Sequence, residues 1–165
     1  MIRRVSNRSV EEHFASAAER HFRDAEYLRD DGRWPNADHH LGFAAECALK
    51  SLLLLFTEAS LDPKNPKKPD EAAKVPWVRK PTGGVQEYKH LPWSETELAV
   101  LAHGPLGSRL LAALGDHLDA FANWTEEDRY RHCEHITEET VAALHEATLA
   151  IVTLHQNALI NGSLS

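Results

Sequence analysis

A-D-H-H-L-G-F-A-A-E-C-A-L-K-S-L-L, residues Ala37 to Leu53, decides the fold of this chain. Leu41, Ala44, Ala45, Ala48 and Leu52, with Leu55 beyond, recur at the spacing of one helix face. The alanines let a neighbouring helix approach closely. Trp34-Pro35-Asn36 reads as a tight connection, with Asn36 as N-cap of a helix from Ala37 to about Glu58. On another side His39, Glu46 and Lys50 form a polar stripe beside Phe43. It reads either as a solvated i,i+4 ion pair or as a polar groove facing the C-terminal part of the chain.

Before this helix, Ser9-Val10-Glu11-Glu12 reads as a capping box. Phe14, Ala18, Phe22, Ala25 and Leu28 then form one face of a helix stopping at Gly32, with His21 at its edge. After it, periodicity disappears from Ser60 to Pro92. Six prolines and Gly83-Gly84 there exclude a long helix or a central strand. This segment carries seven basic and four acidic residues, locally +3 in an acidic chain, which makes it the candidate for touching a phosphate backbone. Ser94-Glu95-Thr96-Glu97 is a second capping box, opening a helix of about two turns that ends near Pro105. A fourth helix from about Leu106 to Ala122 buries Leu110, Leu111, Leu114, Leu118 and Phe121. Thr137 caps a last one, with Val141, Leu144, Thr148, Ile151, Val152, His155 and Leu159 inward. No alternating β-branched run competes. The expected fold is all-α, an up-and-down bundle of four to five helices in one domain spanning residues 1–165, with one long Pro/Lys-rich loop.

A formal charge of −7 over 165 residues argues against bulk affinity for nucleic acid or anionic membranes. A local basic patch still acts within about 10 Å, the Debye length near 0.1 M salt. Eleven histidines make the charge sensitive to pH near 6.5. Cys47 and Cys133 suggest no disulfide framework, so a reducing, cytoplasmic setting is expected. The basic N-terminus has no apolar run behind it and does not read as a signal peptide, and the run Leu52 to Phe56 is too short to span a bilayer.

The densest chemistry lies in W-T-E-E-D-R-Y-R-H-C-E-H, Trp124 to His135. An Arg holds phosphate through a fork of donors, and a His moves a proton to or from a ribose 2′-hydroxyl. Arg129 and His135 therefore suit metal-independent RNA cleavage, with His132 a rival to His135. An offset of six leaves two helical side chains roughly 120° apart, so one of the pair must sit in the turn before the last helix. A second account is structural: Trp124 and Tyr130 anchor the bundle while Arg129 pairs with Glu46. A third is a metal site at His132, Cys133 and His135 with Glu138 or Glu139, completed by Asp38-His39-His40 from another helix. No C-x-x-C or H-E-x-x-H is present, and neither a metal nor another cofactor is expected.

The chain resembles the HEPN-domain family, through Ala37 to Leu53, the K-H-L of Lys89 to Leu91, and W-T-E-E-D-R-Y before the last helix. The likeness runs from about Ser9 to Ile160. It implies a small helical bundle, a homodimer, and in nuclease members an Arg followed four to six residues later by a His. Arg129 would then grip the scissile phosphate and His135 would sit near the attacking 2′-hydroxyl, in a cleft shared by two copies. Tyr130, Arg131, Glu46 and Lys50 would bind the RNA or nucleotide, and Lys50 with the Lys64 to Lys68 segment would extend the positive surface. Tyr130 after Arg129 departs from the nuclease pattern and matches members that bind nucleotides or partner proteins, such as a nucleotidyltransferase, without cleaving.

Overall fold

The helix α2, Trp34–Phe56, is the hub of the computed structural model, which describes residues 4–130 and 132–164, with side chains from residue 12 onward. Ala37, Leu41, Ala44, Ala45, Ala48, Leu49, Leu52 and Leu53 are all fully enclosed. A stripe this wide cannot be covered by one neighbour, and α2 packs against α1 (Arg4–Asp30), α4 (Pro105–Leu114) and α5 (Glu138–Asn161). The helix starts three residues earlier than the Asn36 cap implied. Pro35 sits in the first turn, where its missing N–H costs nothing, and Arg33 occupies the cap. Leu55 and Leu159, assigned to core stripes, are exposed near the ends of their helices.

α1 begins at Arg4, so Ser9 lies inside a helix and does not cap one. It stops at Gly32, whose φ of 71° is open to glycine, while the Gly32 and Arg33 amides bond back to Arg29 and Leu28. Both bonds of the Ser94 capping box are present at α3, Glu95–His103. The expected fourth helix keeps its buried face but breaks at Gly115, which has φ 52°, and continues as a 3-10 segment, Gly115–Phe121. At α5 the Thr137 hydroxyl accepts from the Thr140 amide, and the inward residues from Val141 to His155 are buried.

The proline-rich segment is more ordered than its composition suggested. Trp77–Arg79 (β1) and Val85–Glu87 (β2) form an antiparallel hairpin in register Trp77 to Glu87. Gly83 and Gly84, at φ 96° and 80°, turn it. The W-V-R and V-Q-E runs either side of Gly-Gly were the overlooked signal. Trp77 is buried and its indole donates to the Asp62 carbonyl at 2.8 Å. Tyr88 is fully buried, donates to the Glu97 carbonyl at 3.1 Å and meets Trp93 edge-on. Lys64 pairs with Glu87 and Lys68 with Glu71, so two of the three lysines in the Lys64 to Lys68 run are partly neutralised within the segment. Among the described residues no helix is long and apolar enough to cross a membrane, and Cys47 and Cys133 are not joined in a disulfide.

His155 on α5 and Ser51 on α2 form a buried polar contact of 3.0 Å. Burial holds the His155 pKa below its ordinary value of 6.5. The unfolded chain thus takes up this proton first on acidification, so the stabilisation is complete above about pH 6.5 and is lost as pH falls below it. His21 and His39, also lowered chiefly by burial, act in the same direction. Asp38 opposes them below pH 6, because burial raises its carboxyl to about 6 and the native state binds that proton more tightly. Stability, read as the urea midpoint, is expected to fall between pH 6.5 and 5.5, and less steeply in His155→Gln. An unchanged slope in that variant would remove His155 from this account.

Candidate functional site

The segment Trp124 to Ile136 is pinned at three buried points and open between them. Trp124 donates its indole N–H to the Asp38 carbonyl at 3.1 Å, and its ring lies over Gly42 so closely that a Cβ there would stand 1.9 Å from Cε2. Asp128 is buried within the 3-10 segment Glu126–Tyr130, and its carbonyl accepts from the Cys133 thiol. Ile136, just before the Thr137 cap, is buried. These anchors leave Arg129, Tyr130, His132 and His135 exposed. Both Arg129 and His135 precede α5, so the sequence argument that one must sit in the turn before the helix understated the case.

Two clefts open on either side of Asp128. The first, about 300 Å³, is lined by Arg129, His132 and Cys133 together with His39 and His40 from the first turns of α2. The second, about 220 Å³, is lined by His135, Asp38, Trp124 and Ile136. Asp128 borders both. Within the chain, then, Arg129 and His135 face neighbouring clefts. The His135 Nε2 stands 3.8 Å from the Asp128 carboxylate, a charge contact too long for a hydrogen bond. Asp38 sits beside this pair, its carboxyl raised to about 6 by burial and then by the Asp128 charge, while His135 partly offsets the rise. Two buried carboxyls and an exposed imidazole make a set that can hold or pass a proton near neutral pH.

At the edge of the first cleft, which Arg129 lines, its guanidinium lies 4.7 Å from the centre of the Tyr130 ring, and Tyr130 is 77% exposed. Together they offer a cation and a flat aromatic face, the elements that hold a phosphate and a stacked base. His39 packs edge-on to Phe43 at 4.6 Å and lies parallel to Trp124, and its buried Nδ1 has no hydrogen-bond partner among the described residues. Burial, then His40 and Arg129, hold the His39 pKa low, so its ring is neutral at pH 7.

Glu46 and Lys50 do not lie on the surface of either cleft. Lys50 contacts Glu46 at 2.5 Å, both side chains are almost wholly enclosed, and the ammonium also faces the Phe14 ring. The second Glu46 oxygen is 3.2 Å from both His90 Nδ1 and the Leu91 amide. His90 Nε2 in turn meets Glu126 at 2.7 Å, at the start of the 3-10 segment. α2 and the C-terminal segment join through Glu46, as expected from the sequence, but with a different partner: among the described residues the link is Glu46–His90–Glu126, and Arg129 is not part of it. Arg131 lies outside the described residues. His132 and Cys133 do share a cleft with His39 and His40, yet among the described residues these four do not converge on one point as metal ligands. Sequence reasoning had Asp38 and His39 on α2 but not their role as a wall of the C-terminal clefts, which only the docking of Trp124 reveals.

Comparison of the chain with models of known protein families, with curated proteins and with solved structures finds no match.

Proposed function

We propose that this helical protein binds RNA or a nucleotide at the Arg129 and His135 clefts, and that a homodimer cleaves RNA there without a metal, in the manner its HEPN-like sequence suggests. The observation that carries this reading is that Arg129 and His135 are both exposed at one small region whose backbone is anchored to the core. Because they face neighbouring clefts within a subunit, the reading requires Arg129 of one copy to act with His135 of the other. The Arg holds the phosphate, and His135, beside Asp128, takes the 2′-hydroxyl proton.

The Arg129–Tyr130 stack favours a second reading, in which the same surface binds a nucleotide, or a nucleotidyltransferase partner, without cleavage. Purified protein incubated with mixed RNA in EDTA distinguishes them. Cleavage that His135→Ala lowers by about 100-fold or more, within the usual range for loss of a general base, supports the nuclease reading. No cleavage by wild type, or equal cleavage by the variant, removes it. In that case Arg129→Ala is expected to weaken nucleotide binding measured by fluorescence anisotropy, and unchanged binding there would remove the second reading.

A further inference from the structure

Beside the Arg129 cleft, a histidine pair joins α1 to α2. His21 Nδ1 stands 3.1 Å from His40 Nδ1, with the rings 5.2 Å apart centre to centre. Asp24, one turn after His21 on α1, brings a carboxylate oxygen to the same point, and the three ligand atoms lie within 4.8 Å of one another. We infer that His21, Asp24 and His40 form a binding site for one divalent cation of the zinc type, clamping α1 to α2. Its occupancy is independent of whether the C-terminal clefts bind RNA.

The geometry argues for a cation. Two nitrogens on one tetrahedral zinc at about 2.0–2.1 Å stand roughly 3.3 Å apart, close to the spacing observed here. With no cation, two imidazole nitrogens this close must share a single proton, one ring donating and the other accepting. A metal replaces that proton and satisfies both lone pairs, and the Asp24 carboxylate supplies a third ligand and a compensating negative charge. Two imidazoles with one carboxylate select zinc or its transition-metal neighbours over magnesium or calcium, which take oxygen ligands. Phe43 covers one side, its ring 5.7 Å from that of His21, and gives the site an apolar flank that limits water. Three protein ligands leave a fourth position for water, and His40 also lines the Arg129 cleft, so the cation would stand at the wall of that cleft.

The test uses the full chain, stripped with a chelator and titrated with Co²⁺, whose visible absorption reports tetrahedral ligation, and then with Zn²⁺ in competition. Wild type is expected to take up one equivalent of either ion. His21→Ala and His40→Ala should each weaken binding by at least tenfold, and Asp24→Asn by about tenfold. His117→Ala, changing an exposed histidine elsewhere, should leave it unchanged. Circular dichroism checks that each variant folds, and His21→Gln and His40→Gln give the same reading if an alanine variant does not. One-equivalent binding that persists in the His21 and His40 variants, or only weak uptake common to every protein, overturns the site.

Discussion

Gly42→Ala is expected to destabilise the protein by about 3 kcal/mol or more, at the upper end of what one added methyl costs in a packed interior. In an ordinary helix the same change is favourable by about 1 kcal/mol, because alanine is the better helix former. Here the new Cβ would lie 1.9 to 2.3 Å from three atoms of the Trp124 indole. Neither partner can yield easily, since α2 is enclosed along its length and Trp124 is held by its bond to the Asp38 carbonyl. Urea unfolding gives the magnitude, and tryptophan emission reports whether the indole has been expelled. Trp124→Ala alone should cost about 3–5 kcal/mol, as large aromatic truncations do. The double variant should be well short of the sum, because the alanine at 42 then has room. A stabilised Gly42→Ala would show that Trp124 does not sit over this turn.

Glu46→Ala should be comparably damaging for a different reason. It leaves the Lys50 ammonium enclosed without its carboxylate, and loss of one partner of a buried pair typically costs about 3–5 kcal/mol. His90 and the Leu91 amide lose an acceptor at the same time. The loss is expected to shrink when both charges go. Glu46→Leu with Lys50→Met should recover most of the loss, because replacing a buried pair by apolar groups of similar size is often neutral or favourable. Thermal unfolding of the two single variants and the double variant measures the coupling. Additive losses would mean that the pair is not a unit. A fast probe of the 3-10 segment, such as protection of its amides from exchange, should also respond to Glu46→Ala through His90 and Glu126.

Most of the helical architecture was legible in the sequence because it rests on periodicity. The stripes at Leu41 to Leu52, Leu110 to Phe121 and Val141 to His155 each needed burial, and each has it. The boundaries were less legible where a competing signal was present. Asn36 is a good cap, but Pro35 fits a first turn still better. The Ser9 box lost to a helix that continues upstream. The hairpin escaped notice because six prolines outweighed two short β-like runs. The candidate site was legible only as a composition. The crowding of ionisable groups between Trp124 and His135 is plain in the sequence, whereas their division into two clefts by Asp128 depends on contacts 86 residues apart in the chain, such as Trp124 to Asp38. His90 and the convergence of His21 with His40 likewise depend on pairings that no local spacing encodes.

Asp38, Gly42 and Glu46 lie at successive turns of α2 and hold the C-terminal segment at two residues: the Asp38 carbonyl and the bare backbone of Gly42 both seat the Trp124 indole, and the Glu46 carboxylate reaches Glu126 through His90. The start of the segment is thereby fastened to one enclosed helix at both Trp124 and Glu126. The spacing of the candidate groups is thereby inherited from the rise of a helix whose first turns line both clefts and whose remaining length is largely enclosed.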